Sequence, residues 1–127
     1  MNSFDIFVDH NLKLVKITAT GELFQADGEK IISLARETAA EHSYHVLYDI
    51  RQATTTVSFS SWFHLPRELE VFQKLPTRKV KAAVLVSAGD KAVEDYKFYE
   101  NVMENLGIPL RVFFSETEAL EWLAPVS

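Results

Sequence analysis

The chain has 127 residues and is 47% hydrophobic, which is the size and composition of one ordinary domain with one core. A formal net charge of -5 without a Lys- and Arg-rich run argues against nucleic acid as a partner, and the absence of cysteine excludes disulfides, thiolate metal sites and a cysteine nucleophile. No apolar run approaches the roughly 20 residues of a membrane span, and residues 1–5 show no secretory leader pattern, so we expect a single cytoplasmic domain over residues 1–127.

Two alternating segments open the chain. Phe4–Val8 and Leu12–Thr18 alternate apolar and polar residues, and Asp9-His10-Asn11 between them has turn chemistry. This combination predicts a β-hairpin that forms the antiparallel edge of a sheet. Gly21 is expected to end the second strand.

A helix and three further strands are predicted after the hairpin. Asp27 is expected to cap a helix that reaches about His42, because apolar residues recur along one of its faces. Three short apolar segments then predict strands, and these are Tyr44–Ile50, Val80–Val86 and Leu110–Phe114.

Each of these three strands is followed by a helical pattern. After the first, apolar residues step by three or four across Pro66, where we expect a kink or a fresh helix start because proline lacks the backbone donor. After the second, Asp90 is expected to cap a helix that Gly107 ends. After the third, Ser115 and Glu118 form a capping-box pattern at the start of a short last helix.

This element order predicts an α/β fold. An N-terminal β-hairpin is followed by alternating helices and strands, which favours a mostly parallel five-stranded sheet with four or five helices on its two faces. In open α/β sheets, ligands and partners bind beyond the carboxyl ends of the strands. That rule predicts that four segments lie together on one rim of the sheet, and these are Thr18–Phe24, Arg51–Ser61, Ser87–Asp90 and Ser115.

Five segments of the chain carry a family resemblance, which extends over most of the chain, from the hairpin to the last helix. They are Val46–Arg51, Arg78–Ser87, Phe98–Glu100, Leu110–Phe114 and Glu118–Leu123. They resemble the SpoIIAA-like family of small bacterial proteins, which are relatives of the STAS domains of anti-sigma-factor antagonists. The resemblance implies a STAS-type α/β fold and a non-enzymatic regulatory or protein-interaction module that uses the rim after the third strand.

The same resemblance implies two further properties. STAS antagonists are phosphorylated on a serine shortly after the third strand, and the matching region here is Val57–Ser60, which makes Ser58 a conditional phosphorylation site. The subfamily has also been likened to CRAL-TRIO lipid-transfer domains. The alternative function is therefore a small carrier that binds a lipid or other apolar ligand between the sheet and the helix around Pro66.

The segment 51–63 is the predicted contact surface for a protein partner or a small apolar ligand. The residues expected to make contact are Arg51, Thr54, Thr56, Ser58, Phe59, Trp62 and Phe63. A strand end and a helix cap would equally explain the threonines and serines, and core packing would explain the aromatic residues. Exposed aromatic residues would instead mark a partner surface, a homodimer interface or a ligand lid.

The sequence predicts no catalytic or metal-binding site, and no cofactor is expected. The four histidines lack the His-Glu-x-x-His spacing, and the chain has neither a glycine-rich phosphate loop nor a Gly-x-Ser-x-Gly elbow. Asp49 and Arg51 fall on the same side of their strand, where an ion pair is a simpler outcome than an anion site. Ser87–Asp90 is similarly interpreted as a tight turn rather than an anion site.

Overall fold

The computed structural model describes residues 3–56, 70–73 and 79–124. In chain order these residues form β1 (Ser3–Asp9), β2 (Leu14–Phe24), α1 (Gln25–His42), β3 (His45–Thr56), a 3-10 helix (Glu70–Gln73), β4 (Ala82–Leu85), α2 (Val93–Asn105), β5 (Leu110–Phe113) and α3 (Glu116–Leu123). The predicted kink at Pro66 lies outside the described residues.

The five strands form one sheet in the order β1-β2-β3-β4-β5. β1 pairs antiparallel with β2, and the pairs β2–β3, β3–β4 and β4–β5 are parallel. The predicted α/β class with an N-terminal hairpin is confirmed. The sheet is mixed rather than mostly parallel, because the hairpin adds an edge strand that runs against its neighbour.

The turn of the hairpin is held by Asp9. Its carboxylate Oδ1 accepts hydrogen bonds from the backbone N–H groups of Asn11 and Leu12, both at 3.0 Å.

The prediction that Gly21 ends the second strand is wrong, since β2 continues to Phe24. Gly21 lies within the strand at a φ of 83°, a conformation that glycine adopts without the steric penalty of a side chain.

Helices cover both faces of the sheet. α1 and α2 pack on one face over the main core, which includes Val15, Ile17, Val46, Tyr48, Val84 and Met103. α3 packs on the other face over a smaller core of Leu14, Leu47, Ala83, Leu85, Ala119 and Leu123. The prediction of four or five helices is corrected to three α-helices in the described residues, none of which is long and apolar enough to cross a membrane.

The observed helix boundaries agree with the predicted ones better at the C-terminal ends of the helices than at their N-terminal starts. α1 ends at His42 as predicted, but it begins at Gln25, and the Asp27 carboxylate accepts from the Phe24 backbone N–H at 2.9 Å. α2 likewise begins two residues later than an Asp90 cap requires, because Asp90 Oδ1 accepts from the Ala92 N–H at 2.8 Å before the helix starts. Ser115 caps α3 as predicted, with its hydroxyl accepting from the Glu118 N–H.

Candidate functional site

Strand β3 contains one extra residue relative to β2. Thr18 pairs with Asp49 and Thr20 pairs with Gln52, so three steps along β3 match two steps along β2. Such bulges are rare between parallel strands and occur next to functional sites, where they redirect side chains. Before the bulge, Tyr48 and Ile50 face the main core, and after it Ala53 does. Thr54 and Thr56 are consequently exposed.

An open groove of about 520 Å³ lies at the carboxyl end of β3 and β4. The last β3–β4 pair joins Asp49 to Leu85, so within the described residues the remainder of β3 pairs only with β2. The opposite wall is the loop between β4 and α2, where the Ser87 hydroxyl donates to the Arg51 carbonyl at 3.2 Å. We name this the rim groove, and its described lining residues are Arg51, Ala53, Thr54, Thr55, Ser87, Gly89, Asp90, Lys91 and Ala92.

Arg51 joins the rim groove to a network of four charges. Its Nη2 and Nε donate to the two Asp49 carboxylate oxygens at 2.8 and 3.0 Å, which gives the bidentate geometry preferred by this pair. Arg51 also lies 3.6 Å from the Glu116 carboxylate, and Glu116 lies 3.8 Å from Lys16 Nζ. The interpretation of Asp49 and Arg51 as an ion pair is confirmed.

This network gives the stability a defined dependence on pH. The Arg51 hydrogen bonds lower the pKa of Asp49, with burial acting in the opposite direction. A carboxylate with a lowered pKa in the folded state stabilises the fold above its ordinary pKa of roughly 4, and this contribution is lost as the pH falls through the lower, folded-state value. Asp49→Asn is therefore expected to lower the free energy of unfolding near neutral pH by roughly 0.2–1 kcal/mol, because solvent screens the half-exposed pair.

The measurement is urea unfolding of wild type and Asp49→Asn at a series of pH values. The gap between the two proteins should shrink as the pH falls through the acid range. Asp5→Asn on the exposed side of β1 is the matched control for the loss of a carboxylate. A gap for Asp49→Asn that stays constant down to the lowest pH at which both proteins fold would contradict the assignment.

The structure places the predicted site residues in three groups. Arg51 and Thr54 line the rim groove together. Thr56 does not line it, and its hydroxyl donates to Glu22 Oε1 at 3.1 Å. Four of the predicted contact residues lie outside the described residues, and these are Ser58, Phe59, Trp62 and Phe63.

A second concave feature lies on the main-core side of the sheet. It is a cavity of about 80 Å³ between the sheet and the helices α1 and α2. We name this the core cavity. Its described apolar lining is Leu23, Ile31, Ile32, Ile50, Val84, Leu110 and Val112.

Polar side chains also line the core cavity. Arg36 is 1% exposed, and its Nη1 donates to the Val80 carbonyl at 2.9 Å. The Tyr96 and Thr55 hydroxyls are 2.8 Å apart, and burial raises the pKa of Tyr96 to about 12, with that hydrogen bond acting in the opposite direction. Tyr48 is 6% exposed, and burial raises the pKa of its hydroxyl, with the Arg36 charge and a hydrogen bond to Arg36 acting in the opposite direction.

Sequence reasoning missed Arg36 and Tyr48, although each leaves a signal. Arg36 stands between Ile32 and Ala40 at a spacing of four, and this places a cation on the apolar stripe of α1. Tyr48 alternates with Val46 and Ile50 on the buried face of β3. A polar group in either position requires a buried hydrogen-bond partner. A polar residue at such a position is therefore a candidate for a structural or binding role.

The histidines of the described residues have structural partners. The His10 and His42 rings are tilted against each other with their centroids 5.6 Å apart, at the end of the sheet away from the rim groove. His45 Nδ1 accepts from the Lys81 N–H at 3.0 Å, and burial lowers its pKa with the Lys81 charge acting in the same direction. His64 lies outside the described residues. Within the described residues, no group of three or more acidic or histidine side chains could hold a metal ion.

Several solved structures are similar to this chain, and two of them show the range of proteins that share its fold. One is an uncharacterised protein of the DUF3478 family with a SpoIIAA-like fold from Shewanella loihica PV-4, with 16% identity, a TM-score of 0.52, and coverage of 97% of this chain and 93% of that one. The other is the anti-sigma factor antagonist SpoIIAA in its unphosphorylated form, with 16% identity, a TM-score of 0.50, and coverage of 94% and 96%. No family model matches the chain, and no curated protein matches its sequence significantly. At this level of identity the likeness concerns the fold, and it confirms the resemblance predicted from the sequence.

Proposed function

Because the chain has the SpoIIAA-like fold, we propose that it is a non-enzymatic, cytoplasmic regulatory module that binds a protein partner in the rim groove. The observation that carries the proposal is the groove itself, which lies beyond the carboxyl ends of β3 and β4, where α/β sheets bind their partners. Similarity to an anti-sigma factor antagonist supports a protein as the partner.

The end of β3 suggests how the partner binds. From Gln52 to Thr56 this strand pairs on one side only within the described residues, so we propose that this part of its edge receives an extended segment of another chain. In the proposed complex, the partner segment lies along this edge between Thr54 and Lys91. The backbone supplies most of the hydrogen bonds, and these side chains select the partner.

Phosphorylation is proposed to regulate partner binding. Ser58, two positions beyond the last residue of β3, remains the proposed phosphorylation site. A phosphate on Ser58 would add about 1.5 to 2 negative charges four positions after the groove residue Thr54 in the sequence, and the groove already contains the Asp90 carboxylate. Binding of a partner with an acidic segment would weaken as a result.

The experiment is site-specific photocrosslinking in cells of the source organism. A photoreactive amino acid replaces Thr54 in the groove, and the matched control replaces Lys79, which is exposed before β4 at the opposite end of the sheet. We expect a discrete protein adduct from position 54 and none from position 79. Lys91→Glu, which reverses the charge on the groove wall, should reduce the adduct several-fold, whereas Lys79→Glu should not.

Two results would contradict the rim groove as the binding surface. One is the same set of adducts from positions 54 and 79. The other is a position-54 adduct that survives unchanged in Lys91→Glu and Thr56→Pro, since proline at the strand end would disturb the edge along which the partner is proposed to lie.

A second candidate function is the small carrier of an apolar ligand, and the core cavity is the observation that favours it. Native mass spectrometry of the freshly purified protein, before and after organic extraction, tests this function directly. A carrier would show a reproducible extra mass that extraction removes. The same spectra report whether the chain forms the predicted homodimer.

A further inference from the structure

Strand β1 forms one outer edge of the sheet, and this edge is open. β1 spans seven residues, and within the described residues it pairs only with β2. Ile6 and Phe7, on its two faces, are 38% and 61% exposed. A long edge strand with exposed apolar side chains is a template for pairing with another chain, and proteins usually prevent such pairing with charges, prolines, bulges or a covering element. Asp5 is the only charged residue between Phe4 and Val8.

The opposite edge of the sheet is protected. β5 has only four residues, and the backbone N–H of Val112 donates to the Glu100 carboxylate at 2.6 Å. A short strand whose backbone donor is already used by a side chain is a poor template for a second chain. Among the described residues, no side chain makes such a hydrogen bond to the backbone of β1 between Phe4 and Val8. The two edges of the sheet therefore differ in their capacity to pair.

The sequence of β1 fits antiparallel pairing with a second copy of itself about a two-fold axis. Residues that lie directly opposite each other in such a pair share one face of the sheet. An axis through Ile6 pairs all seven residues of β1 and places Asp5 opposite Phe7. An axis through Asp5 or Phe7 would instead place Asp5 opposite another aspartate, either Asp5 or Asp9 of the second copy. Like charges directly opposite each other are destabilising, so the axis through Ile6 is favoured.

The same axis continues the main core into the second copy. On the main-core face of β1 the side chains are all apolar, and these are Phe4, Ile6 and Val8. Their neighbours on β2 are buried in the main core. Across the axis, Phe4 lies opposite Val8 and Ile6 lies opposite its own symmetry mate, so that one apolar row passes through the interface. Removing these side chains from water favours association, and their alternation fixes the register.

We propose that the chain forms a two-fold symmetric homodimer in which the β1 strands of two copies pair antiparallel about Ile6 and join the two sheets into one. A second copy fits this edge because a two-fold interface uses the same surface on both subunits, and β1 is complementary to itself in this register. The inference goes beyond partner binding at the rim groove, because β2 separates β1 from β3. Both interfaces can be occupied in the same molecule.

The test is sedimentation equilibrium of wild type over a range of protein concentrations. We expect a reversible equilibrium between monomer and dimer. Ile6→Glu would place two carboxylates against each other on the axis and should weaken dimerisation by about ten-fold or more. Phe114→Glu is the matched control, because Phe114 is 47% exposed just beyond β5 at the other edge of the sheet. Its dimerisation should equal that of wild type.

A second variant reports the register and does not depend on losing the dimer. The chain has no cysteine, so Ile6→Cys introduces a single thiol per copy. The proposed axis brings the two thiols together, and a short bifunctional maleimide should link them much faster than it links the thiols of Phe114→Cys. Far-UV circular dichroism checks that each variant is folded.

Three results would overturn the proposal. The first is a wild type that remains monomeric at about 1 mM, a concentration at which even a weak dimer is populated. The second is a folded Ile6→Glu that dimerises as tightly as wild type, which would place the interface elsewhere. The third is equal crosslinking rates for Ile6→Cys and Phe114→Cys. Photocrosslinking from position 54 should persist in Ile6→Glu, so a failure of the dimer is distinguishable from a failure of the rim groove.

Discussion

Phe72→Ala is expected to lower the free energy of unfolding by about 3–5 kcal/mol. Phe72 lies in the 3-10 helix Glu70–Gln73, its side chain is 0% exposed, and its ring packs beneath the Arg36 guanidinium. The substitution removes apolar contacts, leaves a void in the main core and deprives a buried cation of its aromatic neighbour. This loss is a large share of the roughly 5–15 kcal/mol that stabilises an ordinary domain.

The measurement is urea unfolding followed by far-UV circular dichroism. Phe7→Ala on β1 is the matched control, because Phe7 is 61% exposed, and its effect should stay within about 0.5 kcal/mol. Phe72→Leu should fall between Phe72→Ala and wild type, since it refills part of the void. If Phe72→Ala and Phe7→Ala unfold at the same urea concentration, the 3-10 helix does not contribute to the core in solution.

Leu47→Ala is expected to destabilise the opposite face of the sheet by about 2–5 kcal/mol. Leu47 is 1% exposed and belongs to the small core under α3, where it packs with Leu85 and Leu123. A core of so few buried residues cannot redistribute the lost contacts. α3 should therefore loosen before the rest of the domain unfolds.

Hydrogen exchange measured by mass spectrometry separates this local effect from the global one. Peptides from residues 116–123 should exchange faster in Leu47→Ala than in wild type, with a smaller change in α1. Leu34→Ala is the control, because Leu34 is 39% exposed on α1. Uniformly faster exchange throughout the chain would mean that the two cores unfold as one unit.

Much of the fold was predictable because its signals are local. Alternation identified the hairpin, short apolar segments identified the three strands that follow it, and the capping pattern at Ser115 identified the start of α3. The end of β2 was not predictable from the same signals. Gly21 normally indicates a turn, and only the neighbouring strand reveals that here it occupies a left-handed position inside a continuous strand.

The candidate site was predictable only in part, since its features arise from tertiary contacts. The rule for α/β sheets identified the rim, and Arg51 and Thr54 do line the rim groove. An apolar ligand site was predicted between the sheet and the helix around Pro66, and the residues that line the core cavity were not predicted. The burial of Arg36 depends on Val80 and Phe72, which lie far from it in the chain, and no periodicity within α1 contains that information.

The bulge in β3 has an evolutionary consequence. Side chains on a regular strand alternate between two faces, and the bulge absorbs one extra residue near Arg51, so that Ala53 still pairs with Gly21 and its side chain stays in the core. A lineage that lost a single codon at the bulge would restore regular pairing with β2 and leave Ala53 in the core and Thr54 and Thr56 exposed. The length of β3 at Arg51 can therefore change, and reshape the edge of the groove, while the core behind it keeps its register.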